Sequence, residues 1–390
     1  MKPPIYLDYA ATTPMDPRVI SAMTDVMEGY YGNPSSVHAV GRAAREQIEE
    51  ARREVAGFFG AKDSSEIVFT SGATESNNLV LRGVVQSSKI KKPHIITTSI
   101  EHKAILETLD DIALTREIEV TLMQCDQSGH IDIERLKNEI RHNTILISVM
   151  FVNNETGSVQ DIRGIGKMLE KLNEGRERAG FPKVLFHTDA VQAVQYYDCR
   201  VAHLHVDLLS ASAHKVYGPK GIGVLYIKKR LALHPMITGG GQEFEKRAGT
   251  ENISGIIGFA QALQILAKKK DTDREHVLEL KKVLTKGLSS IKGAQVVSTD
   301  HGAPHIVSCI FKDIPGDALL VNLDLVGISA STGSACTSGS IQPSHVLLAC
   351  GFPEDEAKSA LRFSLGRWTK KSEVEKLLSV LPGIIEKLST

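Results

Sequence analysis

Residues 94–123 read HIITTSIEHKAILETLDDIALTREIEVTLM, and the order of patterns in that stretch points to one architecture. HIITTS (94–99) is a short β-rich run, HKAILETLDDIAL (102–114) carries apolar residues at helical spacing, and IEVTLM (118–123) returns to a β-rich run. The rhythm continues in both directions. Upstream, the strand EIVFT (66–70) precedes the helical ATESNNLVLRGVVQS (73–87). Downstream, ERLKNEI (134–140) and DIRGIGKMLEKLNE (161–174) are helical, while TILISVM (144–150), KVLFHTDA (183–190) and VDLLSASA (206–213) are strands. This alternation predicts an α/β fold with a largely parallel sheet and helices on both faces. Ligands of such sheets sit beyond the carboxyl ends of the strands, so the polar clusters that follow these strands belong to one site.

Glycine punctuates the middle of the chain in YGPKGIG (217–223) and TGGGQEF (238–244). A mostly helical stretch runs from Ile253 to about Ile291, and a lobe boundary is expected near 253–258. Strand-like HIVSCIF (305–311), the Gly/Ser/Thr-rich SASTGSACTSGS (329–340), strand-like LRFSL (361–365) and a C-terminal helix follow. At 390 residues the chain exceeds one ordinary core, which implies two lobes.

Lys+Arg and Asp+Glu are both 46, so the balance of charge makes no case for nucleic acid or an anionic membrane as partner. The longest apolar stretch, IIGFAQALQILA (256–267), is too short and too polar to span a bilayer. The opening MKPPIYLDYAATTP has no charged segment leading into an apolar core, so no signal peptide is read. Five scattered cysteines, Cys125, Cys199, Cys309, Cys336 and Cys350, make a poor disulfide framework and suit a reducing cytoplasm.

Several residues at the expected sheet edge can carry chemistry, each with a plainer alternative. Lys215, in SASAHKVYGPKG (210–221), follows an apolar strand among small residues, where desolvation favours the neutral amine that a Schiff base requires. Taken alone it also reads as a surface lysine in a glycine-rich turn. Asp189 ends a strand and can hold a pyridine nitrogen protonated, or simply cap a helix. TSGATESNN (70–78) is a strand-to-helix turn whose free N–H groups suit a phosphate, with Thr74 adding a hydroxyl; ordinary capping is the alternative. His102 can stack on a flat ring or handle protons, or merely start a helix.

Cys336 sits among serines, threonine and glycines, unlike Cys309 in the apolar HIVSCIF, and reads as an exposed nucleophile on a loop. Arg362, in an apolar strand, suits either an ion pair or an α-carboxylate. Cys199, His203 and His205 form C-x3-H-x-H, a spacing that matches no common zinc site, so no metal is expected. The two histidines alternate along the segment and are expected to share one face.

Together these segments resemble the cysteine desulfurases of the NifS/IscS-like branch, class-V aminotransferases of pyridoxal-phosphate fold type I. YLDYAATTP (6–14), GNPSS (32–36), FTSGATESNN (69–78), EHKA (101–104), VNNETG (152–157), HTDAVQ (187–192), SAHKVYGPKGIG (212–223), GGGQE (239–243), R-x-GT (247–250), TGSACTSG (332–339) and LRFSLGR (361–367) match in order from end to end. Eleven ordered motifs are far more specific than any one of them.

The resemblance implies a role for each residue. Lys215 would carry pyridoxal 5'-phosphate, Asp189 would bind its pyridine nitrogen, Gln192 its phenolic oxygen, and His102 would stack on the ring. Ala73, Thr74, Ser212 and His214 would hold the phosphate, and Thr250 would reach the phosphate of the partner subunit in a homodimer. Arg362 and Asn154 would grip the substrate carboxylate, with Asn33 near it, and Asn154 would also border the cofactor. Cys336, on a loop at about 329–342, would receive sulfur from L-cysteine as a persulfide, leave alanine, and pass the sulfur to an acceptor such as an iron–sulfur scaffold. The resemblance further implies a mostly parallel seven-stranded sheet in a large lobe (15–255) and a smaller α+β lobe (1–14 and 256–390). Selenocysteine lyase, a serine–pyruvate type aminotransferase, and a sulfur-relay scaffold with a vestigial cofactor site are the competing readings.

Overall fold

The computed structural model describes residues 4–333 and 342–389. After the short β1 (Ile5–Tyr6), seven strands build the main sheet: β2 (Ile67–Thr70), β3 (His94–Thr98), β4 (Glu119–Met123), β5 (Thr144–Ser148), β6 (Leu185–Asp189), β7 (Leu208–Ser212) and β8 (Gly223–Ile227). Their spatial order is β2-β8-β7-β6-β5-β3-β4. β3 to β7 run parallel to their neighbours among themselves, together with β4 at the edge. β8 is antiparallel to both β7 and β2. The glycine-rich 217–223 segment hides β8 in the sequence. Its brevity also explains the direction, since so short a connection returns a chain only antiparallel.

Successive strand residues feed opposite faces of the sheet. Ile96, Ile147, Phe186 and Leu209 enter one core with the helices Ala39–Phe59 and Ile162–Arg178. Ile95, Leu146 and Leu208 enter a second core with the helices Ala73–Ser87 and Lys103–Thr115. Every residue of β3, β5 and β7 is buried, as a sheet covered on both faces requires.

A smaller antiparallel sheet joins β9 (Ala294–Val296), β10 (Ile306–Phe311) and β12 (Ala360–Ser364) in the order β12-β10-β9. The intervening β11 (Ile328–Ser329) pairs in parallel with β1, which ties the N-terminus to the C-terminal part of the chain. The helix Ile253–Ser289 links the two halves. Its first turns, with Ile256, Phe259 and Leu263, fill the core of the main sheet. Val277, Leu280 and Leu284 fill the core beneath the smaller sheet.

The segment 199–205 differs from its expectation. Val201–Leu204 is a short helix and His205, just past it, takes a left-handed conformation, φ 57°, so alternation does not place His203 and His205 on one face. His205 pairs with Glu170 at 2.8 Å.

Candidate active site

The carboxyl ends of β5, β6 and β7 open onto a cavity of about 720 Å³. Asp189 and Ser212 are the last residues of β6 and β7, and Lys215 follows Ser212 by one short turn. Ala73, Thr74, His102, Asn154, Gln192, His214 and Arg362 line the same space. Asn33 and Thr250 are exposed and do not line this cavity of the single chain. Asn33 instead accepts the Ser35 N–H at 2.9 Å through its side-chain oxygen. Cys336 lies outside the described residues.

Lys215 Nζ donates to the carbonyls of Ala10 and Ala11 at 2.6 and 2.7 Å. Burial, with the Arg362 guanidinium adding to it, pulls its pKa from 10.5 down to about 8. The neutral amine, the form that attacks a carbonyl carbon, is thereby accessible near neutral pH.

Asp189 is 6% exposed. Its Oδ2 accepts from Asn77 Nδ2 at 2.7 Å and its Oδ1 from Val191 N at 3.0 Å, which fixes the plane of the carboxylate. Asn77 lies one turn into the helix Ala73–Ser87. That helix starts at Gly72 with no side-chain cap, so its first-turn N–H groups are open to an anion. Gly223 makes the turn possible: a Cβ there would stand 2.6 Å from Gly72 Cα.

His102 caps its helix through Nδ1, which accepts the Ala104 N–H at 3.1 Å. That bond leaves Nε2 to carry the proton of the neutral ring. Desolvation pulls the His102 pKa down, with Lys215 acting in the same direction and Asp189 opposing. His214 is held neutral in the same way, its pKa lowered to about 4 by burial and then by Lys215.

Arg362 is 4% exposed in β12. Its Nη2 pairs with Asp8 at 2.8 Å and its Nη1 donates to the Asn154 carbonyl at 2.9 Å. Its Nε has no partner among the described residues. A buried guanidinium held on one side with donor capacity left over is suited to a carboxylate.

Four supporting residues escaped the sequence reading: Asn77, Asp8, His305 and Tyr196. His305 is fully packed, its ring 4.7 Å from that of Tyr196, and burial pushes its pKa down to about 3. Nδ1 has no partner among the described residues, so the one ring proton belongs on Nε2, 3.1 Å from Gln192 Oε1. That donor fixes the amide: Gln192 Nε2 gives one hydrogen to the Ala10 carbonyl at 2.9 Å and keeps a second. FTSGATESNN and YLDYAATTP contained Asn77 and Asp8, but nothing local to either pointed at a partner more than 100 positions away.

Architecture and site together define the pyridoxal-phosphate fold type I class. The aminotransferase class-V family model matches residues 5–377. Cysteine desulfurase IscS of Dictyoglomus turgidum is 43% identical over 396 residues, covering 100% of this chain and 96% of that protein. A solved NifS-like protein superposes with a TM-score of 0.90 at 35% identity, over 99% of this chain and 100% of the other. SspA in complex with cysteine gives a TM-score of 0.80 at 35% identity, over 94% of this chain and 99% of the other. The chain belongs to the class-V aminotransferase family and, within it, to the cysteine desulfurases.

Proposed function

We propose that the chain uses pyridoxal 5'-phosphate to convert L-cysteine to L-alanine, with the sulfur held as a persulfide on Cys336. The observation that carries this reading is the meeting of Lys215, Asp189 and Arg362 on one cavity. A primary amine, a carboxylate, an uncapped helix start and an amide donor form a set that fits an aldehyde-bearing pyridine phosphate. Lys215 would hold the cofactor, Asp189 its ring nitrogen, Gln192 its phenolic oxygen, and Ala73, Thr74, Ser212 and His214 its phosphate. When bound, pyridoxal phosphate supplies an aldehyde carbon that exchanges amines and a ring that spreads the electron pair released at the substrate's α-carbon.

The chain's own residues do the rest. Arg362, with Asn154 behind it, orients the substrate carboxylate. Lys215 Nζ, once free, takes and returns the proton at the α-carbon, and His102 Nε2 is the second group placed to hold a proton. The Cys336 thiolate, a far better nucleophile than the thiol, attacks the substrate's sulfur; the bond from that sulfur to the substrate's β-carbon breaks, its electron pair stays with the carbon skeleton that is protonated to alanine, and the sulfur remains on Cys336 as a persulfide.

Homodimerisation, with Thr250 and Asn33 serving a shared site, is part of the same proposal, as are a cytoplasmic location and an acceptor protein for iron–sulfur assembly. Both residues are exposed and available for such a role. No helix among the described residues is long and apolar enough to cross a membrane. The proposed lobes are 15–255 and 1–14 with 256–390, the first turns of the helix Ile253–Ser289 packing into the core of the larger one.

The test is anaerobic turnover of L-cysteine with a thiol reductant, measuring sulfide and alanine together. Equal and catalytic amounts of both are expected. Their absence with a yellow, folded protein overturns the assignment of substrate. Cys336→Ala should keep the yellow colour and lose sulfur release from cysteine.

A further inference from the structure

Two cysteines that the reaction does not use lie against each other. Cys125 follows β4 at the edge of the main sheet, and Cys350 closes the short helix His345–Ala349. Their Sγ atoms are 3.7 Å apart although 225 positions separate them in the chain. Cys125 Sγ also lies 3.5 Å from the Ala349 carbonyl. The two sulfurs differ in surroundings. Cys350 is buried in a cluster with Ile100, Met150, Val346 and Phe352, whereas Cys125 is only partly buried at the rim of that cluster. Cys125 is therefore the more exposed of the two residues and the one a small reagent meets first.

The helix that ends at Cys350 is joined to the active-site wall. Ser344 Oγ, at its N-cap, donates to the Glu155 carboxylate, and His345 Nε2 donates to the Glu101 carbonyl at 2.9 Å, next to His102. The helix also starts nine positions after Cys336 in the sequence. A covalent bond at its far end would therefore restrain the frame around the catalytic segment.

We propose that Cys125 and Cys350 form a reversible disulfide, made by a low-molecular-weight disulfide, that fastens the helix His345–Ala349 to the segment after β4. The sulfurs need only close from contact to a bond length of about 2.05 Å. The Cys125 thiolate attacks one sulfur of the small disulfide and expels one small thiolate, leaving a mixed disulfide. The Cys350 thiol gives up its proton and attacks the Cys125 sulfur, expelling the second small thiolate. Two protein thiols lose two electrons and two protons, and one small disulfide becomes two thiols. The order of attack has electrostatic support. A hydrogen bond from Cys350 lowers the Cys125 pKa, while the same contact and burial raise that of Cys350.

The experiment treats the holoenzyme with oxidised glutathione, removes the reagent, blocks the remaining thiols with iodoacetamide in denaturant so that buried ones react, and maps peptides without reduction. A peptide pair joining Cys125 to Cys350 is expected, with a Tm raised by a few degrees, and both should revert with dithiothreitol. Cys350→Ser should stop at a glutathione adduct on Cys125. Cys125→Ser should leave Cys350 without an adduct. Glutathione found on Cys336 while Cys125 and Cys350 both take iodoacetamide overturns the proposal. A stable glutathione adduct on Cys125 of the unaltered chain does so too, and a linked pair with no change in Tm overturns the fastening.

Discussion

Two backbone carbonyls, those of Ala10 and Ala11, hold the Lys215 ammonium from one side, while burial and Arg362 work against its charge. The balance leaves a pKa of about 8 against an ordinary 10.5. Cofactor capture by the cofactor-free chain should therefore quicken as pH rises, with a midpoint near 8. The measurement is the growth of the visible absorbance after mixing with pyridoxal phosphate at a series of pH values. A rate still climbing steeply toward 10.5 would mean that the lysine is not desolvated. At this scale the candidate site was legible as residue types. Lys215, Asp189, His102 and Arg362 stood out because each is a reactive or charged group at the end of, or within, an apolar strand. Their fixing partners were not legible: Asn77 for Asp189, Asp8 for Arg362 and His305 for Gln192 are single polar residues with no periodic signature.

Among the elements, the turn at Gln242–Glu245 holds the least comfortable backbone. Glu243, Phe244 and Glu245 all have positive φ, at 46°, 55° and 62°. Non-glycine residues in that region each cost on the order of 1 kcal/mol or more. A buried ion pair offsets the cost. Arg52, on the helix Ala39–Phe59, binds both oxygens of Glu243 at 2.7 and 2.8 Å, and the Phe69 N–H donates to the same carboxylate at 2.8 Å. The guanidinium also lies over the rings of Phe69 and Phe244, at 4.9 and 5.0 Å from their centres. Glu243→Gln should destabilise the protein by roughly 1–3 kcal/mol, since it leaves the buried guanidinium only the Ile67 carbonyl at 2.9 Å and the half-buried Glu49 at 3.3 Å as strong partners. Chemical denaturation measures this, and a loss below about 1 kcal/mol would show that the pair does not hold the turn. GGGQE was visible as a motif, but its glutamate had no assigned role until Arg52 was seen opposite it.

Over the whole molecule, one buried acid sets a dependence of stability on pH. Glu101 is fully buried in the segment joining β3 to the helix Lys103–Thr115, with Oε1 accepting from Thr98 and Met150 N at 2.8 Å each. Desolvation raises its pKa from 4.5 to about 8. The native chain thus keeps a proton that the unfolded chain has lost between 4.5 and about 8. Its contribution is fully present below 4.5 and is lost as pH rises through 8. Glu101→Gln imitates the neutral acid, so its Tm should fall less than that of the unaltered protein between about pH 5 and pH 9. Parallel curves across that range would sink the assignment. Lys215 acts in the opposite sense and later, adding stability as pH rises from about 8 toward 10.5 in the cofactor-free chain.

Periodicity in the sequence was enough for the β-α-β order, the helix Ala73–Ser87 to its ends, the long helix from Ile253, and the set of strand ends where the site would gather. These follow from local chemistry, because a strand or helix buries a face whose spacing is written in neighbouring residues. The tertiary structure alone decided the antiparallel entry of β8, the sharing of one helix between two cores, and long-range polar pairs such as Arg362 with Asp8, Arg52 with Glu243 and Cys125 with Cys350. Spacing states which face of an element is buried and never what it is buried against, so partners hundreds of positions apart are settled only when the packed chain brings their donors and acceptors together.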